Sequence, residues 1–148
     1  MRPSLIPPFD ALDIRRRILR PEAASKAGVM YPEDRYETTA TFGIHLDGAV
    51  VSVGTIMLSP YPGSGDEQAW RIRGMATEAP FRSRGFGGQI LEALLSHAGE
   101  RGGTRVWCNA RVDAVPFYER FGFETRGEVF LTAGERPHVL MHVDRQQS

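Results

Sequence analysis

The sequence predicts a mixed α/β domain in which a central, mainly antiparallel sheet is flanked by helices. Two runs rich in β-branched and apolar residues, Thr38 to Leu46 and Val50 to Ser59, flank Asp47-Gly48, the dipeptide of a type I′ hairpin turn. An amphipathic helical pattern from Phe86 to Glu100 stands between two strand-like segments, Trp70 to Thr77 and Thr104 to Asn109. The chain has 148 residues, 41% of them hydrophobic. That is enough to bury a core and too little to lead one to expect a second, so a single domain over residues 1–148 follows.

Taken in order, residues 1–9 carry Pro3, Pro7 and Pro8 and read as an extended lead-in. Asp10 is placed to cap a first helix whose Leu12, Ile14, Ile18 and Leu19 share one side. Arg15, Arg16, Arg17 and Arg20 are expected to face water until Pro21 ends the helix. Glu22 to Glu37, punctuated by Gly28 and Pro32, reads as a loop with one short helix. The hairpin follows, then a loose connection from Pro60 to Glu67. In the strand Trp70 to Thr77, Gly74 marks a bulge or a close backbone approach.

In the helix from Phe86, residues Ile90, Leu91, Leu94, Leu95 and Ala98 recur on one face and Gly102-Gly103 ends it. Asp113 is placed to cap a second short helix, Ala114 to Phe121, with Pro116 in its first turn and Gly122 as terminator. Two last strands, about Glu128 to Thr132 and Val139 to Val143, flank Ala133 to Pro137, and 145–148 reads as a disordered tail.

The most informative segment is Arg82-Ser83-Arg84-Gly85-Phe86-Gly87-Gly88, between a strand and a helix. Three glycines in four residues let the backbone approach a ligand closely, and the helix start points unpaired N–H groups and a positive dipole end at an anion. Arg82 and Arg84 add formal charge there. The segment lacks the Lys-Ser/Thr ending of a P-loop, which argues against the rival reading of a nucleotide-phosphate site, and it lacks the spacing of a dinucleotide fingerprint.

Arg82-x-x-Gly85-x-Gly87, followed further on by Ala114-x-x-Phe117-Tyr118-Glu119-Arg120-Phe121-Gly122-Phe123, resembles the GNAT superfamily of acyl-CoA-dependent N-acetyltransferases, and the likeness extends roughly from Phe42 to Val143. The resemblance implies a GNAT-like sheet, acetyl-CoA as co-substrate, and sequential transfer of the acetyl group to an amine. It implies that Arg82, Ser83, Arg84, Gly85, Phe86, Gly87 and Gly88 hold the coenzyme pyrophosphate. It also implies that the strand before the turn splays from its neighbour, so that Met75, Ala76 and Thr77 offer backbone to pantetheine. The segment 22–37 would help shape the acceptor site.

Acyl transfer from a thioester needs an amine freed of its proton (ordinary pKa roughly 10), stabilisation of the developing oxyanion, and a proton donor for the departing thiolate. The residue pattern alone leaves Tyr118 as core filler beside Phe117 and Phe121. The resemblance assigns it the general acid. Some family members carry a base carboxylate on the strand before the turn, but here that strand offers Trp70, Arg71, Ile72 and Arg73. Glu78, His45 and His138 are the alternatives, and the base stays unassigned. Where many relatives place an asparagine three before the motif alanine, this chain has Arg111. Asn109 is expected to face the cofactor. Arg73, Arg111 and His138 are expected on the acceptor side, and the surplus of arginines there, Arg71 included, suggests an acceptor with a carboxylate or phosphate. A non-catalytic acyl-CoA-binding or regulatory module of the same fold is the competing reading.

Charge and cysteine content narrow the partners. The formal net charge is zero, so neither nucleic acid nor an anionic membrane is expected as partner. The acceptor is expected to be a small-molecule or peptide amine, and a homodimer is compatible with the sequence. The single cysteine, Cys108, cannot form an intrachain disulfide, and its apolar surroundings suit an inert core thiol better than a nucleophile. With no apolar run long enough to cross a bilayer, a cytoplasmic location is expected. The four histidines and one cysteine show no ligand spacing, so no metal is expected.

Overall fold

The computed structural model describes residues 2–132 and 136–144; the expected tail at 145–148 and most of the loop before the last strand lie outside that range. Seven strands form one sheet, β1 (Ser4–Ile6), β2 (Ala40–Leu46), β3 (Ala49–Leu58), β4 (Ala69–Thr77), β5 (Arg105–Arg111), β6 (Glu124–Leu131) and β7 (Pro137–Asp144), in spatial order β1-β2-β3-β4-β5-β7-β6. Every neighbouring pair is antiparallel except β4 and β5. The turn between β2 and β3 has positive φ at both Asp47 (52°) and Gly48 (82°), as a type I′ turn requires. The lead-in is itself a strand, since Ser4–Ile6 pairs with Thr41–Gly43 at the sheet edge.

The long helix, α2 (Phe86–Glu100), covers one face. Its Ile90, Leu91 and Leu94 are fully buried against Ile44, Ile56, Trp70, Ile72 and Val106. Each such side chain contributes about 1.5–3 kcal/mol by leaving water. Gly102 at φ 77° closes the helix, with the Gly103 N–H returning to the Ala98 carbonyl at 2.8 Å. A short helix, α3 (Val115–Glu119), carries Pro116 in its first turn and ends at Gly122 (φ 88°). Asp113 does not cap it; Ala114 occupies the cap position, and Asp113 lies in the 3₁₀ turn just before.

The opposite face is covered by the N-terminal segment, which departs from expectation. Residues 8–19 are a 3₁₀ turn (Pro8–Ala11), one α-helical turn, α1 (Leu12–Ile14), and a π-helical stretch (Arg15–Leu19). Asp10 sits inside the 3₁₀ turn, with Pro7 at the cap position. Ile14, Ile18 and Leu19 pack with Ile6, Val53 and Ala76, as the apolar pattern required. Arg15, expected in water, is only 1% exposed. It donates to both Asp34 carboxylate oxygens (2.8 and 3.1 Å), to the Val29 carbonyl (3.1 Å) and to Thr55 Oγ1 (2.9 Å). The wide π turn and a carboxylate nineteen residues away turn an outward position inward. Residues 22–37 hold two short 3₁₀ helices, Lys26–Val29 and Pro32–Arg35, rather than one helix.

Candidate active site

Strand β4 creates the site by changing partners midway. It pairs with β5 only at Ala69, Trp70 and Arg71, opposite Arg105, Val106 and Trp107, and then parts from it. The register with β3 slips between Val53 and Thr55, where Gly74, at φ 69°, is the extra residue. A bulge bends a strand and shifts its side-chain alternation. Before it, Trp70 and Ile72 face α2; after it, Ala76 packs with the N-terminal segment instead. No other residue fits easily at Gly74, because a Cβ there would stand 3.2 Å from Arg15 Nε and 3.2 Å from the Tyr31 hydroxyl. The buried Arg15 cluster is thus built against the bend that opens the sheet.

The opening leads into a cavity of about 1230 Å³. At one end lies the turn from β4 to α2. Ser83 (φ 62°) and Gly85 (φ 84°) both adopt the left-handed conformation, and Gly85 is the N-cap of α2 with no side chain bonded to the helix start. The first-turn amides therefore have no intrahelical acceptor, and a Cβ at Gly85 would meet nothing within 4 Å, so the turn is open to a ligand's approach. A Cβ at Gly88 would come within 3.1 Å of the Phe121 ring, so that glycine serves the close packing of α2 on the segment after α3. Arg82 folds back, its Nε donating to the Thr77 carbonyl at 3.1 Å.

Of the residues expected at the site, Met75, Ala76, Thr77, Arg82, Ser83, Gly85, Phe86, Gly87, Gly88, Asn109 and Tyr118 line this one cavity, together with Arg73, Arg111 and His138. Arg84 is the exception: its guanidinium lies 5.5 and 5.6 Å from the Phe81 and Phe86 ring centres, outside the lining. Two alternatives for a base fall away from the cavity as well. Glu78 is ion-paired with Arg17 at 2.6 Å, and His45 sits at the far end of the hairpin.

Tyr118, 6% exposed, reaches the cavity from α3. Burial, then the Cys108 side chain to which its hydroxyl is hydrogen-bonded, hold the phenol's pKa well above its ordinary value, so it keeps its proton. Burial likewise pushes the Cys108 thiol up to about 12, an unreactive state. His138 Nδ1 lies 2.9 Å from the Arg136 carbonyl. A carbonyl can only accept, so in the neutral ring Nδ1 carries the hydrogen and Nε2 the free lone pair.

Sequence reasoning missed Tyr31, Arg15 and Arg136 as parts of this cavity. Tyr31 stacks on two guanidinium groups, those of Arg15 (4.2 Å) and Arg73 (4.0 Å), and Arg136 and Arg111 both donate to the Leu19 carbonyl. The expectation that 22–37 borders the acceptor was the signal for Tyr31; Arg15 and Arg136 lie outside that segment and nothing in their local pattern marked them. Among the described residues no group of acidic, histidine and cysteine side chains could hold a metal, and no helix is long and apolar enough to cross a membrane.

Residues 10–123 match the model of the acetyltransferase (GNAT) family. The chain is 32% identical over 133 residues to Uncharacterized N-acetyltransferase YitI of Bacillus subtilis (strain 168), covering 90% of this chain and 89% of that one. Its fold is similar to that of the ribosomal-protein-S18-alanine N-acetyltransferase from Escherichia coli (TM-score 0.76, 16% identity, 99% of this chain and 94% of that one). It is also similar to an aminoglycoside 6'-N-acetyltransferase solved in complex with coenzyme A (TM-score 0.73, 16% identity, 99% and 100%).

Proposed function

The chain belongs to the acetyltransferase (GNAT) family, and on that premise we propose that it transfers an acetyl group from acetyl-CoA directly to a primary amine, with the turn at 82–88 seating the coenzyme and Tyr118 acting as general acid. It is an acyltransferase. Acetyl-CoA is the acyl donor of the family and, when bound, supplies an activated thioester.

The amides of residues 83–88 and the dipole of α2 suit the pyrophosphate. The Met75–Thr77 backbone, unpaired with β5, has hydrogen-bonding groups for pantetheine amides, and Asn109 faces the same channel. On the acceptor side, His138 Nε2 is the group with a free lone pair and takes the ammonium proton directly or through water. The arginines lining the cavity favour a neutral amine over an ammonium, which lessens the need for a strand carboxylate. Tyr118, kept protonated, donates to the departing sulfur. Cys108 stays a thiol, so transfer needs no acyl-enzyme.

One juxtaposition carries the reading: an uncapped helix start and a protonated buried phenol open onto the same split between β4 and β5. Acetyl-CoA is expected to raise the melting temperature, and thiol is expected to be released when amines are added. Failure of coenzyme A to bind at all would end it.

A further inference from the structure

Eight of the residues lining the cavity are arginines, and one, Asp113, is an acid. Four of the eight arginines have firm partners. Arg15 is paired with Asp34, Arg20 and Arg136 with Glu22, and Arg82 is bonded to the Thr77 carbonyl. Arg73 is 3.9 Å from Glu33, a loose pairing, and Arg111 has only the Leu19 carbonyl. Arg71 stands apart. Its Nε is buried without a hydrogen-bond partner, and no carboxylate among the described residues pairs with it. Burial, reinforced by the neighbouring Arg73 charge, lowers its pKa, and the Glu33 carboxylate offsets this only in part.

These groups share a face. On β4, Ile72 points to α2, which puts Arg71 and Arg73 on the other side. On β5, Val106, Cys108 and Ala110 point to α2, which puts Trp107, Asn109 and Arg111 beside them. Arg71 lies over the Trp107 ring, 4.9 Å from its centre, and His138 is the cross-strand partner of Arg111. A partly buried guanidinium lacking both a counter-ion and a partner for its Nε is costly, and a bound anion removes that cost. Arginine's planar fork matches carboxylate and phosphate oxygens.

Resting on the acetyl-transfer reading above, we propose that the acceptor is a small amine bearing a carboxylate or a phosphate, and that this anionic group is bound by Arg71 with Arg73 and Arg111 at its flanks. The amine end then lies toward His138 and the split between the strands.

The test uses matched pairs, 2-aminoethyl phosphate against ethanolamine and β-alanine against propylamine, with thiol release at saturating acetyl-CoA and thermal shift of the coenzyme A-loaded protein. At least one anionic member should exceed its neutral partner by about tenfold or more in kcat/KM and protect the loaded protein more. The pair that separates tells phosphate from carboxylate. Arg71→Gln should erase the preference by raising the anionic partner's KM about tenfold more than the neutral partner's, with the KM of acetyl-CoA unchanged, and Arg71→Lys should restore part of it. Equal turnover or protection within each pair, or a preference that survives Arg71→Gln, overturns the proposal. If coenzyme A neither binds nor is released, the acetyl-transfer reading itself has failed.

Discussion

Replacing Asp34 with alanine is the most direct way to ask what holds the N-terminal segment against the bent strand. Arg15 and Asp34 are 1% and 3% exposed, and they meet through two hydrogen bonds of 2.8 and 3.1 Å. Asp34 also accepts the Tyr31 backbone N–H at 2.8 Å. In the variant the Arg15 guanidinium keeps only the Val29 carbonyl and Thr55 Oγ1, and the Tyr31 N–H loses its acceptor. Removing one partner of a buried pair costs about 3–5 kcal/mol. In a chain of this size one kcal/mol corresponds to about 3 °C, so the melting temperature should fall by roughly 10–15 °C. Thermal unfolding followed by circular dichroism measures this. The double variant Arg15→Met/Asp34→Leu should recover most of the loss, because it removes both charges from the buried site. The acceptor KM should rise in Asp34→Ala, since Tyr31 lines the cavity beside Arg73, while coenzyme affinity is preserved. A fall of less than about 3 °C with an unchanged acceptor KM would refute the idea that this pair pins the segment.

Tyr118→Phe should lower kcat by about a hundredfold or more while leaving acetyl-CoA affinity intact, measured by single-turnover kinetics and titration; an unchanged kcat would return Tyr118 to the core. Gly85→Ala places a Cβ at φ 84° on the face open to the coenzyme, so acetyl-CoA should bind more weakly at a stability cost of about 1–2 kcal/mol, and unchanged affinity would remove this turn from the coenzyme site. His138→Gln should reduce kcat by about a hundredfold with the KM of acetyl-CoA unchanged, and an unaltered kcat would clear His138 of the proton-accepting role. His97, packed between Phe42 and Trp70, has its pKa lowered from 6.5 mainly by burial. The unfolded chain therefore binds a proton that the folded one resists, so stability should fall as pH drops below 6.5. His97→Gln should flatten that dependence in denaturant titrations, and an unaltered slope would refute the assignment.

Features dictated by local chemistry were legible in the residues alone. Asp47-Gly48 set a turn that only positive φ satisfies, the apolar spacing from Phe86 to Ala98 set the face of α2, and Gly85 left the start of that helix open. The motif around Tyr118 carried the family, and with it the donor. Tertiary structure alone decided the rest. Arg15 reads as a solvated helix residue until a π turn and Asp34 draw it inward. Glu78 reads as a base candidate until Arg17 takes it. Asn109, Arg111 and His138 come together with Arg71 and Arg73 only because β4 pairs with β5 for three residues and then leaves it. Periodicity reports which face a side chain occupies. Which charges remain unpaired depends on partners distant in sequence, and that is where the question of the acceptor rests.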